Sequence, residues 1–259
     1  MKKTVPILLL VILFAAAAWY SFVKEPEPVS ELPPPQLPVD TPVEVQQAAP
    51  QIEDVVPQAE PEIIPDPLPP LNESDPEINR ALADITGIDP LAEYLVKSEA
   101  ISRMVATVDA LTSRQVPAQI NPIKPADGKF VTEKEGERIT MSTENFARYD
   151  GYITLLQNVD SDALTALYQR YYPLFQQAWE ENGGEGSFND RLLEVIGHLL
   201  QTPDVPGPVY LTKPEAVYLF EDPALEAMTS GQKILVRMGS VNAAVVKEKL
   251  LELSTKLSD

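Results

Sequence analysis

The sequence predicts a mainly α-helical protein. It is expected to be a single helical domain with one or two small β-hairpins, preceded by a transmembrane helix and a disordered proline-rich linker. Three observations support this prediction: an uncharged apolar run near the N-terminus, a following segment dense in proline and acidic residues, and a long remainder with apolar side chains at helical spacing. The expected boundaries are residues 1–23 for the anchor, 24–70 for the linker and 71–259 for the domain.

Residues 5–23 are expected to cross a membrane. Lys2 and Lys3 precede these 19 uncharged, mostly apolar residues, and a helix of that length rises roughly 28 Å, close to the ~30 Å hydrocarbon core of a bilayer. The two lysines should stay cytoplasmic, so a single-pass inner-membrane protein with a periplasmic C-terminal domain is predicted. The alternative is a cleaved signal peptide, since Ala15–Ala18 supply small residues for cleavage, although the apolar run is longer than such peptides usually carry.

The linker, residues 24–70, is expected to act as an extended spacer. Between Lys24 and Pro76 lie 15 of the 26 prolines, together with twelve acidic residues. Proline removes the amide donors that helices and sheets need, and like charges extend a chain. The alternative is a ligand for a polyproline-binding groove.

Helix signals dominate the domain. Ser74 or Asp75 is expected to cap the first helix, and Asp160 or Ser161 the longest one. Pro173 should kink or break that longest helix. One face of it carries an apolar stripe, which predicts a core-facing surface made of Leu164, Leu167, Tyr168, Tyr171, Phe175, Ala178 and Trp179.

Glycine and strand signals define the other elements. Gly183 and Gly184 suit a helix C-terminal cap. Short strands are predicted on either side of 134–137 and within 205–222, where apolar residues alternate with polar ones.

Composition excludes several classes of function. A net charge of −19 repels phosphate backbones, so no nucleic-acid partner is expected. The absence of cysteine excludes a disulfide-linked partner, a thiolate zinc site and a cysteine nucleophile. With one histidine and no G-x-S-x-G motif, the sequence predicts no cofactor, no metal and no identifiable catalytic residue.

One candidate binding cluster lies in the stretch "ARYDGY". Arg148 and Asp150, flanked by Tyr149 and Tyr152, are suited to grip a polar ligand through paired hydrogen bonds and ring contacts. The alternative, which the sequence favours, is a structural ion pair supported by the tyrosine hydroxyls.

A second candidate lies on the helix that follows "GGEGSF". That glycine stretch matches neither the dinucleotide nor the phosphate-loop motif, which indicates a joint between helices. Helix geometry places Asp190, Arg191, Glu194 and His198 opposite the leucines, as a polar stripe facing solvent or a partner. Glu194 and His198, four residues apart, are spaced to pair.

Four stretches carry a family resemblance. "ENFARYDGYITLL", "LYQRYYPLFQQAWEENG", "FNDRLLEVIGHLLQTPDVPGP" and "GQKILVRMGSVNAAVVKEKL" resemble the bacterial domain-of-unknown-function family 3014, over most of the chain from Leu71 to Leu257. The resemblance implies an N-terminally anchored or exported envelope protein, and it implies no activity or functional residue.

The predicted function is therefore that of an inner-membrane-anchored envelope protein. Its helical domain is expected to bind an envelope protein or peptidoglycan without catalysing a reaction. The alternative is a glycan hydrolase or transferase that uses carboxylates, since the domain holds many acidic residues whose separations a sequence does not show.

Overall fold

The computed structural model of the chain describes residues 67–86, 98–124, 126, 128–214 and 217–258. The predicted anchor, and the predicted linker up to residue 66, lie outside these described residues. Within the part of the chain that is described, none of the helices combines the length and apolar character needed to span a bilayer.

The described residues form a mainly helical domain, as predicted. Two short 3-10 segments, Leu71–Glu73 and Ala118–Ile120, accompany the α-helices. The α-helices are α1 (Asp75–Thr86), α2 (Ala100–Ala110), α3 (Glu144–Ala147), α4 (Asp150–Asn158), α5 (Ser161–Glu181), α6 (Phe188–Leu200), α7 (Pro223–Glu226), α8 (Ser230–Arg237) and α9 (Ser240–Ser258).

The strands form one antiparallel sheet in the order β1-β2-β3-β4. They are β1 (Thr132–Glu135), β2 (Arg138–Met141), β3 (Tyr210–Thr212) and β4 (Leu219–Phe220). The sequence predicted separate small hairpins. The structure joins them, because β2 pairs with β3 through Ile139 opposite Leu211.

Most of the buried apolar side chains form one core between α2, α4, α5, α6, α8 and α9. Its centre is aromatic: Phe188 is fully buried, its ring stacks on Phe175 at a centroid distance of 6.0 Å, and it also contacts Tyr168 and Trp179. The apolar stripe predicted for α5 is confirmed as part of this core. A smaller cluster under the sheet comprises Met141, Val209, Leu211, Phe220 and Val236.

Of the kink or break predicted at Pro173, the break does not occur, because α5 runs without interruption from Ser161 to Glu181. Proline removes the donor that would reach the carbonyl of Gln169, one turn earlier. Both Pro173 and Gln169 are exposed, so water is able to satisfy that carbonyl and the helix continues.

Helix α2 is capped by a residue distant in the sequence. The carboxylate of Asp75 accepts hydrogen bonds from the amides of Glu99 and Ala100, at 2.7 and 2.8 Å. The sequence assigned Asp75 only to its own helix, α1, which does begin there. One carboxylate thus connects the starts of α1 and α2.

Two lysines connect the last helix, α9, to the C-terminal ends of other helices. Lys249 Nζ donates to the carbonyl of Val159, at 3.3 Å, and to Ser161 Oγ, at 3.0 Å, at the junction of α4 and α5. Lys247 Nζ donates to the carbonyl of Thr202, just after α6. Cations at helix C-terminal ends satisfy free carbonyls and oppose the helix dipole, so α9 is held in a defined position.

Candidate binding groove

A groove of about 440 Å³ lies between the C-terminal ends of α2 and α5. We call it the α2–α5 groove. Its lining mixes apolar and polar groups and includes one aromatic ring: Ala106, Asp109, Ala110, Ser113, Gln115, Pro117, Ile120, Trp179, Asn182, Gly183 and Gly184.

The glycine turn after α5 forms one wall. The amide of Gly183 donates to Glu180 O and that of Gly184 donates to Trp179 O, both at 2.9 Å. These two bonds, with Gly183 at φ +83°, are the Schellman ending of a helix. The predicted C-terminal cap is confirmed, and it folds the backbone of Gly184 back onto the helix.

Trp179 is held in place by this turn. A Cβ atom at Gly184 would lie 2.0 Å from Cε2 of the indole, so only glycine permits this approach. The indole Nε1 donates to the carbonyl of Glu185 at 3.2 Å, and the ring contacts Phe188 at a centroid distance of 6.0 Å. Trp179 therefore presents a partly exposed ring of fixed orientation to the groove.

The carboxylate of Asp109 is already paired. Arg191 Nε donates to Asp109 Oδ1 at 2.8 Å, and Arg191 also bonds Thr112 Oγ1 at 2.7 Å and Glu194 Oε2 at 2.8 Å. Burial lowers the pKa of Arg191, but hydrogen bonds to Glu194 and Asp109 outweigh it and raise the pKa above its ordinary value. Among the described residues that line this groove, Asp109 is the one carboxylate.

The four polar residues predicted to share one face of α6 have different environments. Asp190 and Glu194 are exposed, whereas Arg191 reaches across to α2. His198 is half-buried, and its Nε2 lies 2.9 Å from Oγ1 of Thr229, the residue that caps α8. Glu194 forms an ion pair with Arg191, and not with His198, the partner that the sequence predicted. Packing of α2 and α8 over this side separates the four residues.

The "ARYDGY" residues hold a neighbouring loop. Arg148 Nη2 donates to the carbonyls of Ala126 and Gly128, at 3.1 and 3.2 Å, and Tyr152 OH donates to another carbonyl of that loop, Lys124 O, at 3.3 Å. These contacts give Arg148 and Tyr152 a structural role, although their partners are backbone carbonyls and not the carboxylate of Asp150 that the sequence predicted.

The other two residues of this cluster differ in exposure. Tyr149 is buried, and burial raises the pKa of its hydroxyl. Asp150 is exposed in the first turn of α4. They therefore do not form a shared open binding surface.

Sequence reasoning missed two buried cations on α8. Lys233 bonds Glu226, and the guanidinium of Arg237 lies over the ring of Phe220 at 5.0 Å from its centroid. Burial lowers the pKa of Arg237 to about 10. Two cations four residues apart usually indicate an exposed helix face, so their burial between the sheet and the main core depends on tertiary packing.

The groove residues were missed for a related reason. Trp179 was assigned to the core from its helical spacing, and Asp109 and Asn182 carried no motif. The usable signal was the glycine pair directly after the tryptophan helix, because Gly183 and Gly184 permit the turn that covers the indole. Among the described residues, no group of three His, Asp or Glu side chains converges closely enough to hold a metal ion.

One buried hydroxyl near this region permits a direct test. Tyr168 is buried, burial raises its pKa, and its hydroxyl has no hydrogen-bond partner among the described residues. We expect Tyr168→Phe to leave the free energy of unfolding unchanged or to raise it by up to about 1 kcal/mol, because a buried unsatisfied hydroxyl costs stability. Urea unfolding provides the measurement.

The matched control is Tyr172→Phe. The Tyr172 hydroxyl donates to Gln176 Oε1 and contacts Ser187 Oγ, both at 3.0 Å, so its removal should cost about 1 kcal/mol. Equal losses in the two variants would contradict the prediction and show that the Tyr168 hydroxyl has a partner.

Comparison with known proteins gives one match. No curated protein and no solved structure matches the chain. The model of a family described as a protein of unknown function (DUF3014) matches residues 100–254, from the start of α2 into α9, so the matched part contains the α2–α5 groove. Since this match covers more than half of the chain, the protein belongs to the DUF3014 family of proteins of unknown function.

Proposed function

We propose that the protein is an inner-membrane-anchored envelope protein whose helical domain binds an envelope protein or peptidoglycan without catalysing a reaction. The observation that carries this proposal is the α2–α5 groove. It combines an oriented tryptophan, apolar walls and the side chains of Ser113, Gln115 and Asn182. Binding sites commonly join apolar contact surface with a few polar groups that orient the ligand.

The chemistry of the groove favours binding over catalysis. Glycan hydrolysis uses two carboxyl groups about 5–10 Å apart, and the groove's own carboxylate, Asp109, is neutralised by Arg191. A serine nucleophile needs an adjacent base. The single histidine, His198, instead contacts Thr229 beside α8. A hydrolase or transferase therefore has less support.

The sequence supports the location. An apolar run of bilayer length precedes the linker. At ~3.1 Å per residue, residues 24–70 would reach roughly 150 Å when extended. A groove carried on such a linker would reach ligands well away from the membrane.

Photo-crosslinking in the intact envelope tests the proposal. A photoreactive amino acid placed at Gln115 or Asn182 should yield covalent adducts, and the same group at Lys213, exposed in the β3–β4 turn, should not. Trp179→Ala should reduce the adducts several-fold, because it removes the aromatic wall. Sensitivity of an adduct to a peptidoglycan-digesting enzyme or to a protease would identify the class of partner.

Two results would count against the proposal. Equal adducts at Lys213 and at the groove positions would mean that the groove has no special role. Release of new products from peptidoglycan fragments by the purified protein would favour the hydrolase instead, and their loss in Asp109→Asn would place that reaction in the groove.

A further inference from the structure

The outer face of α9 carries two large hydrophobic residues that are exposed to solvent. The exposed large hydrophobic residues of the described chain are Val241, 77% exposed, and Leu251, 58% exposed. Both lie on α9, and Ala244 and Glu248, also exposed, lie between them on the same side of the helix. We define the outer face of α9 by these four residues. The opposite side of the helix packs into the core.

A mainly apolar cavity of about 190 Å³ lies beside this face. It is lined by Leu235 and Val236 of α8, by Ala243, Ala244 and Lys247 of α9, and by the segment after α6, which includes Asp204. Leu251 follows Ala244 by seven residues, so it lies roughly 10 Å further along the axis and in nearly the same angular direction. A projecting leucine and a cavity therefore share one side of one helix.

We propose that the outer face of α9 is a two-fold interface between two copies of this chain. A two-fold interface requires a patch that is complementary to itself. When two α9 helices pack antiparallel, Leu251 of each copy meets the cavity beside Ala244 of the other. The same helix face therefore carries both the projecting Leu251 and the cavity that would receive Leu251 of the other copy.

Charge in the middle of this face agrees with the same arrangement. The midpoint between Ala244 and Leu251 falls between Glu248, on this face, and Lys247, which lines the adjacent cavity and whose ammonium also bonds the carbonyl of Thr202. A two-fold axis at that point brings Lys247 of each copy beside Glu248 of the other, in the pairing that favours association.

The rigidity of α9 also favours this interface. Lys249 fastens the helix to Val159 and Ser161, so the face is presented without rearrangement, and little ordering cost is expected on association. Single exposed apolar residues are ordinary on protein surfaces. Here the pairing of Leu251 with a cavity in a self-complementary position distinguishes the face.

Cysteine crosslinking of the full-length protein tests the interface, because the chain has no native cysteine. Glu248→Cys places a thiol next to the proposed axis, and mild oxidation in native membranes should give a disulfide-linked dimer. The matched control is Thr255→Cys, exposed on the same helix. Its two copies would lie roughly 20 Å apart in the antiparallel pair, so it should crosslink several-fold less.

A second variant checks the role of the leucine. Adding Leu251→Asp should abolish the Glu248→Cys crosslink and leave the far-UV circular dichroism of the folded domain unchanged, because Leu251 lies on the surface of the single copy. In sedimentation experiments without the cysteine substitution, the original chain should be a dimer and the Leu251→Asp variant a monomer. Equal crosslinking of both cysteines, a monomer at all concentrations, or a crosslink from residue 248 to a different protein or to residues 1–66 would overturn the proposal.

Discussion

Replacing Phe188 with alanine should lower the free energy of unfolding by about 3–5 kcal/mol, the usual cost of removing a fully buried phenylalanine. Phe188 begins α6 and is fully buried. Its ring stacks on Phe175 and contacts Tyr168 and Trp179. These partners belong to α5, so the cavity would open where α5 and α6 pack together.

Urea unfolding followed by far-UV circular dichroism measures this effect. Phe188→Leu is the control, because it keeps most of the apolar volume and should cost less than half as much as alanine. Leu251→Ala, measured at a protein concentration low enough to keep the chain monomeric, should change stability by less than about 0.5 kcal/mol because Leu251 is then exposed. A loss below about 1 kcal/mol for Phe188→Ala would contradict the central position that the structure gives this ring.

Replacing Gly184 with alanine should lower the free energy of unfolding by about 1–3 kcal/mol through a steric clash. The added Cβ would lie 2.0 Å from Cε2 of Trp179, so the indole or the turn must move. The comparison is Gly183→Ala. Gly183 has φ +83° and open space where a Cβ atom would lie, so its cost of about 1–2 kcal/mol comes from backbone strain alone.

A double-mutant cycle separates these two causes. In a Trp179→Ala background the cost of Gly184→Ala should nearly disappear, because its obstacle is gone, while the cost of Gly183→Ala should persist. Thermal unfolding of the single and double variants provides the measurement. An unchanged cost for Gly184→Ala without the indole would mean that the turn, rather than Trp179, resists the added methyl group.

The two glycine variants also bear on binding. If the α2–α5 groove binds a partner, Gly184→Ala should weaken photo-crosslinking at Gln115 more than Gly183→Ala does, since it displaces the tryptophan that lines the groove. Equal effects of the two variants on crosslinking would indicate that the orientation of the indole is unimportant for the partner.

Local signals in the sequence predicted several helix ends correctly. The carboxylate of Asp160 accepts hydrogen bonds from the amides of Asp162 and Ala163 at the start of α5, and Gly183 and Gly184 end the same helix. Each of these contacts spans two to five residues, so the sequence order alone brings the groups together. The apolar stripe of α5 was equally readable, because helical spacing follows from backbone geometry.

Contacts between distant residues were not readable. Asp75 caps α2 from 24 residues away, and the bond from Arg191 to Asp109 joins residues 82 positions apart. The polar residues of α6 were therefore expected on one common face. In the structure Arg191 bonds Asp109 of α2, and His198 contacts Thr229 at the start of α8. The continuity of α5 through Pro173 likewise depends on which side of the helix faces solvent.

The amino-acid sequence alone determined the mainly helical class, the ends of helices with local caps, the apolar face of α5 and the resemblance to the DUF3014 family. Only the tertiary structure decided that the strands form one sheet, that Lys233 and Arg237 are buried, that Trp179 and Asp109 share a groove, and that a cavity opens beside Ala244. The physical reason is that periodicity reports which face of a single element is apolar. Grooves and interfaces instead form where separate elements meet, and their positions follow from how those faces pack together.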